Sequence, residues 1–220
     1  IQSGIVLKRM RILIILTYYR PHTSGLTIYA ERLAHAFARR GHTVTVMTSQ
    51  YDKSLPLEEV RDGVRIVRIP VLFRISKGVI MPSFGWMANR LVKEHDVIQL
   101  HLPQFDAAGV ALRGRLLRKP TVITYHCDLR MPPGLLSWVA NQAVIVMNEL
   151  AARFTHRIVT YTQDYAENSP YLRRYLHKLK VIPPPVELPE ATPQAILEFR
   201  QKTNPHNRKP IIGMAARLAK

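Results

Sequence analysis

Short apolar runs alternate with helical patterns along almost the whole chain. β-rich runs fall at residues 11–17, 43–49, 64–70, 96–102, 121–126, 156–162 and 178–183. Several are continuous rather than alternating, as expected of parallel strands covered on both faces. Between the first two, Leu26, Tyr29, Ala30, Leu33, Ala34 and Phe37 recur at helical spacing, and Gly41 supplies a C-terminal stop. Strand, helix and strand in that cadence predict βαβ units and an α/β fold: a Rossmann-like open parallel sheet with helices on both faces.

Two segments break the cadence. Residues 71–87 carry Phe73, Ile75, Ile80, Met81, Phe84 and Trp86 with neither helical nor strand period, beside Arg74 and Lys77. Residues 135–153 read as one helix with a broad apolar face and a narrow polar stripe of Ser137, Asn141, Gln142, Asn148 and Glu149. Those amides and the carboxylate make it a poor membrane span, and it is expected to lie against the sheet, with an interfacial face as the other reading. Pro183, Pro184 and Pro185 then stiffen an exit into a linker at 187–209 that holds a short helix at 192–202. Residues 210–216 read as a new strand with no helix after it, so the chain is expected to be cut just inside a second domain. The resulting division is an N-terminal extension at 1–9, a domain at 10–186, the linker, and the first strand of the second domain at 210–220.

Charge changes the picture only in part. Lys and Arg number 32 against 15 Asp and Glu, a formal charge of +17, which favours anionic partners. Neither a zinc-finger spacing nor an aromatic RNA-binding motif accompanies the charge, so no nucleic-acid partner is expected. A single cysteine cannot form an internal disulfide, which fits a reducing, cytoplasmic compartment. Residues 10–16 follow basic positions as a signal peptide would, but the apolar run is short and no small-residue cleavage site follows. It reads as a buried first strand.

Candidate chemistry gathers where strands end. In open parallel sheets ligands bind beyond the carboxyl ends of the strands, and His22, His101 and His126 lie at or just past three of them. Three imidazoles with Asp128 match zinc in number and type, but they come from separate loops with no local HxH or HExxH pair, so no metal is expected. A Cys127–His126 nucleophile is disfavoured because adjacent strand residues point to opposite faces. Gly25, at the start of the first helix, lets backbone amides approach an anion. The GxGxxG spacing of dinucleotide folds is absent, which argues against an NAD or FAD enzyme.

The stretches YYRPHTSG, LTIYAERLAHAFARRGHTVTVMTS, KPTVITYHCD, VIPPPVEL and PIIGMAARLAK, taken in order, resemble the family 4 glycosyltransferases. That resemblance implies the GT-B fold, two Rossmann-like domains facing across a cleft, with this chain as the N-terminal, acceptor-side domain. It implies a retaining, metal-independent transfer from a nucleotide-sugar, which is a substrate and not a cofactor, to a sugar, lipid-linked or polysaccharide acceptor. It places Gly25 and Arg217 at the donor phosphates, although Ser24 and Ala216 replace glycines of the family's motifs. Tyr18, with His101 and Asp128, falls on the acceptor side, and His126 reaches the transferred sugar as the catalytic position. The fragment alone is expected to be inactive. The alternatives are a GT-B nucleotide-sugar epimerase, or a non-catalytic basic module binding nucleic acid or acidic membrane. Residues 71–87 are further expected to rest on an acidic membrane surface through Phe84 and Trp86, a packed loop being the other reading.

Overall fold

The computed structural model of the chain describes residues 8–75, 78–128, 134–186 and 190–204. In chain order the first elements are β1 (Arg11–Ile15), α1 (Gly25–Arg39), β2 (Thr43–Gln50), β3 (Glu58–Arg61) and β4 (Val64–Pro70). A small hairpin follows, β5 (Phe73–Ile75) and β6 (Gly78–Ile80), then α2 (Phe84–Glu94), β7 (Val97–Leu102), α3 (Ala107–Leu116) and β8 (Thr121–Tyr125). The remainder is α4 (Leu135–Phe154), β9 (Arg157–Thr160), α5 (Gln163–Asn168), a 3₁₀ segment (Leu172–Lys178), β10 (Leu179–Val181) and α6 (Pro193–Thr203). The chain divides into two compact units, Ile1–Pro185 and Val186–Lys220. In the second, Thr192 caps α6 by accepting from the Ala195 amide at 3.2 Å.

The first unit holds an eight-stranded sheet of order β10-β9-β8-β7-β1-β2-β4-β3, parallel except for the β3–β4 pair. This is the predicted α/β class. Strand order reverses between β1 and β7, which pair in register from Ile12 and Val97 onward. A crevice at the carboxyl ends of these two strands is where an open sheet binds ligands. Alternation sorts the core into two layers. Ile12, Ile14, Leu16, Val44 and Val46 face α1, whereas Leu13, Ile15, Ile98, Leu100, Leu102, Ile123 and Tyr125 face the layer of α2, α3 and α4. Gly41, at φ 84, ends α1 in the left-handed conformation that a side chain disfavours. Gly114 lets α3 lie against the sheet: a Cβ there would stand 2.3 Å from Thr121 Oγ1.

Three sequence expectations need correction. The edge strand β3 carries no apolar run, and its signal was the Asp62-Gly63 turn, where both residues have positive φ and fold β3 back onto β4. Residues 71–87 are not irregular: they form the β5–β6 hairpin and the first turn of α2, which buries Met81 and Phe84 in the core. Phe84 is therefore a packing residue, while Leu72, Phe73 and Trp86 are exposed. Finally, the broad apolar face read for α4 is not uniformly turned to the sheet. Asn148 is 4% exposed and Trp138 61%, because α4 turns its small residues, Ala151 and Ala152, inward. The expected strand at 210–216 lies outside the described residues.

Candidate functional site

The loop after β1 is pinned from several sides. Backbone pairing with β2 continues past the strand, Ser49 N–H donating to Thr17 O at 3.1 Å. Arg68, nearly inaccessible on β4, donates to Arg20 O at 3.2 Å, to Pro56 O at 3.0 Å and to Glu59 at 2.5 Å. Arg20 in turn reaches Glu31 of α1 at 2.6 Å and 2.8 Å. Tyr19 is buried, and burial raises its phenol well above the ordinary range. Tyr18 stacks on His22 with ring centroids 4.9 Å apart, and Tyr51 closes against both. Ser24 caps α1, its hydroxyl accepting from the Thr27 amide at 3.2 Å. Gly25 then opens the helix onto empty space, since a Cβ there would meet nothing within 4 Å. The result is a braced, accessible helix N-terminus whose dipole favours an anion.

A second group sits on the α1 side of β7, β8 and β9. His101 is 1% exposed, and its Nδ1 lies 2.9 Å from His126 Nε2. The other nitrogen of His126, Nδ1, is hydrogen-bonded to the hydroxyl of Tyr161. Tyr29 of α1 stands edge-on to both imidazoles. Beneath them Gln99 Nε2 donates to Thr124 Oγ1 at 2.6 Å, and Thr124 also bonds the Tyr29 hydroxyl. Burial pushes His126 down to about 4. His101 lies well below the ordinary histidine range through burial, with His126 adding to the effect. Both rings are neutral at physiological pH. His101 Nε2 is enclosed and has no hydrogen-bond partner.

The opposite side of the same tip is closed. Asp128 accepts from Tyr125 at 3.0 Å, Tyr165 at 3.0 Å and Ser169 at 2.9 Å. Its oxygens fasten the β8 tip to α5 and the turn after it, so the fold itself uses the carboxylate assigned to the acceptor. Cys127 is exposed, and desolvation by its surroundings, with the charge of Asp128, pushes its thiol up, the wrong direction for a nucleophile. Past β7, Gln104 is 4% exposed with neither amide atom partnered, and burial raises Asp106 to about 6.

Of the sequence candidates, His101 and His126 come together, whereas His22 pairs with Tyr18 and Tyr51 instead. Among the described residues no group of three or more His, Cys, Asp or Glu is placed to hold a metal. Arg217 lies outside the described residues. Sequence reasoning missed Tyr161, Tyr29, Gln104 and Asp106. Tyr161 was legible in principle: alternation through β9 puts it on the same face as Val159, one residue past the strand.

A family model described as Glycosyltransferase Family 4 matches residues 23–190. A D-rhamnosyltransferase, WbpZ of Pseudomonas aeruginosa, is 31% identical over 124 residues, 53% of this chain and 30% of that protein. A D-inositol 3-phosphate glycosyltransferase of Xylanimonas cellulosilytica is 25% identical over 190 residues, 77% of this chain and 44% of that protein. The matches therefore span less than half the length of these curated relatives. In fold, the chain is similar to a solved glycosyltransferase from Rickettsia africae, with a TM-score of 0.55 at 15% identity, covering 96% of this chain and 54% of that one. The architecture is that of the N-terminal Rossmann-like domain of a GT-B protein.

Proposed function

The chain belongs to glycosyltransferase family 4, and we propose that it forms the acceptor-side half of an enzyme that moves a sugar from a nucleotide-sugar with retention of configuration. One juxtaposition carries this reading. The open N-terminus of α1 at Gly25 and the neutral histidine pair both lie at the carboxyl edge of the sheet, around the switch point between β1 and β7. Breaking a sugar–diphosphate bond builds negative charge on the leaving group, and a helix N-terminus stabilises such charge without a metal. Arg217, by the family resemblance, would add a cation there. The uncharged polar groups around His126 suit the hydroxyls of a sugar, which need directed hydrogen bonds rather than a counter-ion. The epimerase alternative needs free carboxylates in the cleft, and the Asp128 carboxylate is taken by three hydroxyls.

The test is nucleotide release by the full-length parent against UDP-, GDP- and dTDP-linked sugars, in parallel with this chain alone. The parent releases nucleotide with one of these donors, chelator leaves the rate intact, and the chain alone is inactive. No release by the parent with any donor overturns the reading.

A second reading, contact with an acidic membrane that presents a lipid-linked acceptor, is favoured by exposed apolar side chains in a basic chain. Leu72 and Phe73 protrude beside Arg74, and Trp86 of α2 and Trp138 of α4 project from one helical layer. Among the described residues no helix is long and apolar enough to cross a membrane, so the contact would be interfacial. Co-sedimentation with vesicles containing phosphatidylglycerol, and its loss in Trp86→Ser, supports it. Absence of sedimentation at low salt overturns it.

A further inference from the structure

The hydrogen-bonding capacity of the histidine pair can be counted. A neutral imidazole has one donor and one acceptor, and His126 uses both, Nδ1 on Tyr161 and Nε2 on His101. A phenol has one donor and two acceptor sites, and Tyr161 uses one of the three, on His126. His101 uses Nδ1, and its Nε2 is enclosed without a partner. Only two proton arrangements fit the chain. In the first, Tyr161 donates to His126 Nδ1, and His126 Nε2–H donates to His101 Nδ1. That order places the remaining proton of His101 on Nε2, as a buried N–H with no acceptor. In the second, His101 Nδ1–H donates to His126 Nε2, and His126 Nδ1–H donates to the Tyr161 oxygen. Here His101 Nε2 carries only a lone pair, and the Tyr161 hydroxyl keeps its own proton.

Orphaned buried N–H groups are rarer than under-used acceptors, so the second arrangement is the stable one. Its consequence is directional. The donor capacity of the whole chain of bonds ends on Tyr161, which is half-buried just past the carboxyl end of β9. Burial also holds the Tyr161 phenol well above its ordinary range, so it stays a neutral O–H.

Resting on the glycosyltransferase reading, we propose that Tyr161 is the group that donates a hydrogen bond to a sugar oxygen at this site, and that His126 is a positioning residue that orients it. His101 fixes the tautomer of His126 from behind, and Tyr29 limits the tilt of both rings. The role that the family resemblance gives to His126 thus passes to the hydroxyl it holds.

Two measurements test this. Imidazole ¹⁵N shifts of the chain itself read the proton positions without any activity. His126 is expected as a single neutral tautomer protonated on Nδ1 from pH 5.5 to 8, and Tyr161→Phe shifts it toward the Nε2–H form. A His126 protonated on Nε2, or titrating near 6.5, overturns the proposal. In the full-length parent, with the nucleotide-sugar found by the release assay, Tyr161→Phe lowers kcat/KM by about tenfold to a hundredfold at temperatures where the variant stays folded. The thermal midpoint drops modestly, because one buried imidazole N–H loses its acceptor. His126→Phe costs about the same, and the double variant is no worse than Tyr161→Phe alone. If Tyr161→Phe stays within about threefold of the unmodified enzyme while His126→Phe falls far below it, His126 is itself the sugar contact. No turnover by the unmodified parent overturns glycosyl transfer, and with it the ligand named here, whereas a normal parent with a silent Tyr161→Phe overturns this assignment alone.

Discussion

The tip of β8 presents two polar sites back to back, one on each side of the sheet, and they are built to opposite ends. Toward α5, Asp128 sits among Tyr125, Tyr165 and Ser169 with three hydroxyls on its two oxygens, and the rings of Tyr125 and Tyr171 stack at 4.5 Å behind it. Toward α1, His126 joins His101 and Tyr161, and there capacity is left over: a bare nitrogen inside and a phenol proton at the rim. Both sites contain tyrosine hydroxyls, and both are partly desolvated. What separates them is saturation. A polar cluster whose donors and acceptors are nearly all paired serves the fold, because every unmet group in a low-dielectric place is a cost. A cluster with capacity to spare bears that cost for a ligand.

The largest effect expected from this contrast is on the closed side. Asp128→Ala removes the acceptor of three hydroxyls. It leaves the Tyr125 hydroxyl without a partner and the Ser169 hydroxyl with only the Leu172 amide it accepts from, both in buried residues. Hydrogen bonds to a charged group contribute about 1.5–3 kcal/mol each, and for the half-buried Asp128 the low end applies, so the loss is about 4–5 kcal/mol. For a chain of this size the thermal midpoint then falls by roughly 8–20 °C. Asp128→Asn keeps one oxygen as acceptor and loses about half as much. Calorimetry of the three proteins checks the order. An unchanged midpoint in Asp128→Ala would erase the distinction between the two sites.

The same contrast explains what the sequence could show. The strands, the helix α1 and the crevice were legible because they follow from apolar periodicity and from where parallel strands end. His101 and His126 were found for the same reason, as polar residues at strand tips. Asp128 met the same criterion and was assigned to the acceptor. Its three partners come from Tyr125, Tyr165 and Ser169, and no local pattern joins residues 41 positions apart. Tyr161 escaped because its meaning lies in a count of hydrogen bonds, a tertiary property. Phe84 was misplaced because the hairpin before it is held by only three residues per strand, too few for a period to emerge.

A second expected effect sharpens the contrast through pH. His126 titrates at about 4 in the folded chain against an ordinary 6.5. As pH falls, the unfolded chain takes up its proton first, so this stability is complete above about pH 6.5 and is lost on the way down to 4. The full loss is at most about 3 kcal/mol. Asp106 has the opposite sign, because burial raises it to about 6 from 3.8. The folded chain holds that proton more tightly, so stability rises as pH drops from 6 toward 4, again by at most about 3 kcal/mol. The two offset each other in the native protein. Asp106→Asn is therefore expected to be more stable than the native chain at pH 7.5 and to lose stability more steeply below pH 6. Urea midpoints at pH 4.5, 5.5, 6.5 and 7.5 measure both. Parallel curves for the two proteins would show that Asp106 is not desolvated as its position implies, and an Asp106→Asn curve that stays flat below pH 6.5 would show the same of His126.

The smallest effect on stability, and the most telling for function, belongs to Gly25. Gly114 shows what a required glycine looks like: an added Cβ would stand 2.3 Å from Thr121 Oγ1. At Gly25 the same Cβ meets nothing within 4 Å, and no positive φ demands glycine. Alanine at this first turn of α1 fits the helix better, so Gly25→Ala is expected to leave stability unchanged or raise it by roughly 0.5 kcal/mol. The methyl would, however, occupy the space through which an anion approaches the helix end, where close contact with backbone amides is the whole of the interaction. Nucleotide release by the full-length parent should accordingly fall about tenfold or more while the thermal midpoint holds. A Gly25→Ala parent that turns over normally would mean that the space beside α1 takes no ligand, and the open side of the sheet would then rest on Tyr161 alone.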